Sequence, residues 1–254
     1  MRTILRLAIL IALPSHVAAQ SLPNDIIGNR IRVPGSSVDG TTASLSEVER
    51  ELVEALAPQQ QAERLLQYAI SHHVGATDEI KARVARWRGV ISITEAMATL
   101  LDVARNGSDL RVRAAAIEIE LASFNIAKTT AQVETLLAQI TADAKNARLA
   151  IYTLGQLGNR GVATDRIHAE LRVLTRSDDE GVRFQAYAAI ANLGTDESVT
   201  DLVSAFHHDP SSNVRINGGG CGLAHCGMLT RAQRMLAVPG LLEMVEDGDR
   251  KSVV

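Results

Sequence analysis

A chain of 254 residues with 46% hydrophobic and 22% charged residues has the composition of a folded protein with a core. A formal net charge of −3 supplies no basic excess for a phosphate backbone, and 3% aromatics leaves too few rings for a base- or sugar-stacking platform. Few aromatic or β-branched runs occur, while Ala, Leu, Glu, Arg and Gln are plentiful, so the composition favours helix over sheet.

The first segment reads as a targeting signal. Met1, Arg2 and Arg6 make a basic start, Leu7 to Leu13 an apolar run, and Pro14 ends it. Val17-Ala18-Ala19 then places small residues ahead of Gln20, the layout of a signal peptide cut after Ala19, and a periplasmic or secreted location is expected. The run is far shorter than the roughly 20 residues of a spanning helix. A short anchor or a buried N-terminal helix is the alternative. No Cys follows the run, so a lipoprotein anchor is not indicated. Residues 20–43 hold Pro23, Pro34, Gly28, Gly35 and Gly40 with little periodicity, and read as a flexible leader or linker. The alternative there is a strand pair around Ile31 to Val33.

Periodicity starts at residue 44. Ser44 opens a helix as a hydroxyl cap with Glu47 three residues on. An apolar stripe continues through Leu52, Leu56, Leu65, Leu66 and Ile70, and a second helix runs from Glu79 to Trp87. Residues 44–92 show no repeat signature and read as a cap or as degenerate units. His72-His73, near a helix end beside Gly75, reads as solvated or capping.

From residue 93 onward a repeat takes over. Acidic turns at Asp109, Asp143, Asp179 and Asp209 each precede a shared arginine, at Arg113, Arg148, Arg183 and Arg215. Those arginines recur every 32–35 residues, a solenoid period. Each unit reads as two helices. The first carries an apolar stripe, Met97, Leu100, Leu101 and Val103 or Val133, Leu136, Leu137 and Ile140. The second begins after the acidic turn, where Asp suits a helix N-terminus, and is rich in Ala, which lets neighbours approach closely. Gly158 and Gly194 fit the left-handed residue that ends a helix.

An acidic turn, Val-Arg-x-x-Ala and a closing Leu-Gly together resemble the short bacterial HEAT-like repeats, a type also found in phycobilisome lyases. The likeness covers roughly residues 94–254. It implies an all-α fold: an α-solenoid, a right-handed superhelix of stacked antiparallel helix pairs used as a binding scaffold. It also implies that Arg113, Arg148, Arg183 and Arg215 pair with the Asp of a neighbouring turn. It brings no catalytic residue with it, and a lyase activity would rest on fold alone. The last unit looks half finished: residues 238–245 resemble a first helix, Glu246 to Asp249 a turn, and no second helix follows. Continuation in a longer parent protein is expected; an exposed terminal helix is the alternative.

The chemically unusual stretch is residues 217–227, Asn-Gly-Gly-Gly-Cys-Gly-Leu-Ala-His-Cys-Gly. By register it is the second helix of its unit, and each Gly costs a helix about 1 kcal/mol relative to Ala. Three readings compete. Cys221 and Cys226 could form a disulfide, although a regular helix sets residues five apart about 140° around its axis, so a local break is needed. Cys221, His225 and Cys226, with His207 or His208, could bind a metal, although the spacing is no recognised zinc pattern. Or small residues pack a tight helix crossing, with Cys as a small hydrophobe. His168 reads as ordinary repeat structure. No nucleophile elbow, phosphate loop or dinucleotide fingerprint occurs. The expected function is therefore a non-enzymatic scaffold for a protein or peptide partner, with no cofactor, no nucleic acid and no membrane span. A ligand- or metal-binding or lyase-like protein using residues 217–227 is the alternative.

Overall fold

The computed structural model describes residues 44–71 and 74–243. The signal-like segment, the leader, His72-His73 and the tail from residue 244 lie outside the described residues. Among the described residues every regular element is helical, and no helix is long and apolar enough to cross a membrane.

The chain enters α1 (Glu47–Glu54) through Ser46, not Ser44. Leu45 is buried, and the capping box closes between Ser46 and Glu49. The stripe expected as one helix is two. Pro58 has no N–H to give and takes the first position of α2 (Pro58–Ile70), so the chain turns between Glu54 and Pro58. Leu65 and Leu66 are buried in α2, but Leu52 faces outward and Val53 is the inward residue of α1. The next helix, α3 (Val74–Trp87), starts earlier than expected. Its Trp87 is buried and donates its indole N–H to Gln61, 3.2 Å away.

The repeat region follows the helix pairs read from its turns. These are α4 (Glu95–Asn106) with α5 (Leu110–Ser123), α6 (Thr130–Ala142) with α7 (Arg148–Asn159), and α8 (Thr164–Leu174) with α9 (Glu180–Leu193). The fourth pair is α10 (Asp196–His208) with a segment wound as a π-helix, Val214–Gly220 and Gly222–Cys226. A short α11 (Arg231–Leu236) follows, and residues 238–243 are helical. Asp109 and Asp179 cap α5 and α9 through their carboxylates. Asp143 does not cap α7; it accepts from Asn146 inside its own turn.

The architecture is an all-α solenoid of stacked antiparallel helix pairs. Like packs on like: α2 on α4, α3 on α5, α7 on α9, and α9 on the π segment. Thus α2 and α3, which lack the repeat signature, stack on the first repeat as a helix pair does. Two apolar cores result, and α5 belongs to both. Val112, Ala115, Ala116 and Ile119 face the core that contains Leu65, Ile80 and Trp87. Ala114, Ile117 and Leu121 face the core built from Leu136, Leu154 and Ile190. Residues 112–122 are consequently buried without a break, Glu118 and Glu120 included. Both carboxylates are paired. Lys128 reaches Glu118 at 2.8 Å, while Arg105 and Gln156 reach Glu120.

Gly158 corrects an expectation. It lies inside α7, and a Cβ there would stand 2.7 Å from a Leu193 methyl. Its smallness lets α7 lie against α9; the left-handed turn after α7 falls at Gly161 instead, with φ +81°. Gly194 does end α9 in the left-handed conformation, with φ +68°.

Candidate functional site: the glycine-cysteine helix and the face beside it

Three of the four repeated arginines share one local role. Arg113, Arg183 and Arg215 each reach back six residues and donate to a carbonyl oxygen of the preceding turn, those of Gly107, Ser177 and Asp209. They bind carbonyls of the turn that leaves the first helix, close to its carbonyl end, where a cation is favoured. Only Arg183 also pairs with a neighbouring Asp, giving Asp209 two hydrogen bonds at 2.9 and 3.1 Å. Arg215 bonds to turn carbonyls alone among the described residues. Arg148 is exposed and ion-paired to no described residue; Lys145 faces Asp179 at 3.5 Å instead.

Arg183 forms the floor of a cleft of about 430 Å³ between the α8–α9 turn and the end of α10, near Tyr187, Ser204 and His208. Arg183 itself is fully engaged there. Both arms of Arg183 are taken by Asp209 and by the carbonyls of Ser177 and Asp178. The Asp209 hydrogen bonds hold that guanidinium above its usual pKa, and burial raises the Tyr187 hydroxyl. On the neighbouring helices, His168 meets Asp201 at 2.6 Å and Arg172 meets the same carboxylate at 2.9 Å. These side chains tie α8 to α10.

The abnormal unit resolves into two parts. Its glycines make the close crossing. A Cβ at residue 219 would stand 2.7 Å from the Phe206 amide nitrogen and 2.8 Å from the Leu202 carbonyl oxygen, both backbone atoms of α10. Gly227 abuts the carbonyl of Ala191 just as closely, and the Met228 amide donates to that oxygen at 2.8 Å. The cysteines do not share this burial: Cys221 is half-buried and Cys226 exposed. Their Cα atoms are 5.2 Å apart and the sulfurs are joined as a disulfide. The π winding supplies the local break that a bond across five residues requires. A π-turn closes hydrogen bonds from i to i+5, so residues five apart lie nearly above one another.

His225, exposed on the same turn, brings its Nε2 to 3.9 Å from the Cys221 sulfur. The donor atoms of Cys221, His225 and Cys226 all lie within 4.8 Å of one another, and His207 and His208 are not part of this cluster. The carbonyl end of the helix is held from outside it. Arg113 donates to the carbonyls of His225 and Gly227, and Arg234 to that of Ala224.

One surface feature escaped the reading of motifs. The residue after each repeated arginine is apolar: Ala114, Leu149, Phe184 and Ile216. Ala114 is buried in the array, but Leu149 is 49% exposed, Phe184 half-buried and Ile216 61% exposed. They stand on α7, α9 and the π segment, second helices that pack side by side. The signal was present in the repeat alignment, where a surface position is occupied by a large hydrophobe in three consecutive units.

Comparison with known proteins agrees with this geometry. Residues 133–217, from α6 into the π segment, match the family model for HEAT repeats. No curated protein and no solved structure matches the chain.

Proposed function

We propose that this HEAT-repeat array is a non-enzymatic scaffold that holds an extended peptide segment of a protein partner, outside the cytoplasm. HEAT repeats commonly serve protein–protein interaction, and the observation that carries the reading here is the row Leu149, Phe184 and Ile216 on adjacent second helices. Leu149 and Ile216 left in water, with the half-buried Phe184 between them, at one register of three stacked units favour an apolar ligand crossing those units. Helices packed side by side have axes about 8–10 Å apart. A polyproline-type peptide advances about 9 Å per three-residue turn, so it presents one side chain in every three to successive helices. The favoured partner is therefore an extended segment with an apolar residue at every third position. The location rests on residues 1–19, whose basic start, apolar run and Val-Ala-Ala end support export and cleavage after Ala19.

The test uses a display library of extended peptides carrying apolar residues at every third position, screened against the full chain. Leu149→Ser and Ile216→Ser, both exposed, are expected to leave the circular dichroism spectrum unchanged and to weaken selected peptides about tenfold each, the loss of one apolar anchor. Selected peptides that bind the double variant as tightly as the parent would exclude this face. Amino-terminal sequencing of the exported protein, expected to begin at Gln20, tests the location.

A further inference from the structure

We propose that reduction of the Cys221–Cys226 disulfide converts it, together with His225, into a site for one zinc ion. The three donors are of the right kind: two thiolates and an imidazole suit a borderline-soft cation with no demand beyond three or four ligands. They are also in the right place. Zn–S bonds of about 2.3 Å and Zn–N bonds of about 2.0–2.1 Å allow sulfur and nitrogen on one ion to lie up to about 4 Å apart. The Cys221 sulfur and His225 Nε2 are 3.9 Å apart, and the whole donor set fits within 4.8 Å. A rotation of the exposed imidazole closes the remaining gap, and the sulfurs, bonded to each other in the oxidised chain, part to the roughly 3.8 Å that two tetrahedral Zn–S bonds span.

The backbone that carries these donors has anchors other than the disulfide. Arg113 and Arg234 grip the carbonyls of residues 224, 225 and 227, and Gly219 is seated against α10. Opening the sulfur bridge therefore leaves Cys221, His225 and Cys226 on one turn. Neither Cys226 nor His225 is buried, so solvent, reductant and ion all have access. The exchange balances simply. A dithiol reductant gives two electrons and two protons; the S–S bond breaks, two S–H groups form, and the reductant closes its own disulfide. Zinc then displaces the two thiol protons and takes a lone pair from the neutral imidazole. A disulfide oxidant reverses the order: it takes two electrons from the zinc-bound thiolates and two protons from solvent, becomes its dithiol, and the ion is released as the sulfurs couple. The fourth position is free for water or for a group from a partner.

The full chain reduced with a water-soluble phosphine and desalted without oxygen is titrated with zinc against a metallochromic indicator. We expect one zinc per chain, two protons released per ion, and no binding by the oxidised chain. His225→Ala, an exposed substitution, is expected to weaken zinc at least tenfold while two titratable thiols remain; Cys221→Ser is expected to abolish stoichiometric binding. Circular dichroism of each variant verifies its fold. Reduced protein that takes up no stoichiometric zinc overturns the proposal. So does a folded His225→Ala variant that binds zinc as tightly as the parent, since the two thiols would then act without the imidazole.

Discussion

At the scale of single residues, position in the repeat does not decide what a side chain does. Arg148 and Arg183 occupy the same register, yet Arg183 is buried against a carboxylate and Arg148 lies in solvent. Removing one member of a buried pair leaves the other charge uncompensated, and here Asp209 is almost fully enclosed. Arg183→Ala is therefore expected to cost about 3 kcal/mol in urea unfolding, and Arg148→Ala to stay within about 0.5 kcal/mol of the parent. Equal costs would show that register, not environment, sets the contribution. The sequence was a good guide where one residue type has one strong preference. Asp109 and Asp179 cap helices, and Gly194 takes the left-handed turn. It was a poorer guide for Gly158, and for the glycines of residues 217–227 a tight crossing was only one of three readings. A glycine answers to whatever approaches it, and that neighbour lies on another helix.

At the scale of elements, pattern and structure part company in α5. Ile117-Glu118-Ile119-Glu120 has the polar content of an exposed helix face, so nothing local marks it as central. Its carboxylates are buried because Arg105, Lys128 and Gln156 come from three other segments to meet them. The pairing of α8 with α10 was equally invisible, since His168 and Asp201 belong to different units. There burial pushes the Asp201 carboxyl upward, but hydrogen bonds from His168 and Arg172 more than offset it and hold the group below its usual range. A carboxyl depressed in the folded state contributes stability at pH above its unfolded value, about 3.9. That contribution is lost as pH falls through the lower folded value. Asp201→Asn is expected to be less stable than the parent at pH 7 and to show a flatter loss of stability below about pH 4. Parallel acid curves for the two proteins, followed by fluorescence or circular dichroism, would remove the linkage.

At the scale of the whole molecule, the array departs from the one-dimensional logic of solenoids, in which each repeat touches only its neighbours. Arg113 leaves the first repeat to bind the carbonyls of His225 and Gly227, more than a hundred residues on, at the end of the π segment. Burial and the nearby Arg234 press its pKa downward, and the carbonyl oxygens of Gly107, His225 and Gly227 accept its hydrogen bonds. The contact joins α5, already shared by both cores, to the unit that carries the cysteines. A chain of nearest-neighbour units unfolds in steps when one interface is weak, whereas a long-range tie makes the two ends fail together. Arg113→Ala should then do more than lower stability. It should separate one unfolding transition into two, broaden the urea curve, and raise amide exchange in α4 and in residues 214–226 while α8 and α9 stay protected. A single transition shifted to lower urea with an unchanged slope would reduce Arg113 to an ordinary buried contact. Two transitions would identify it as the residue that closes the array, and would place the cysteine-bearing helix under the control of the first repeat.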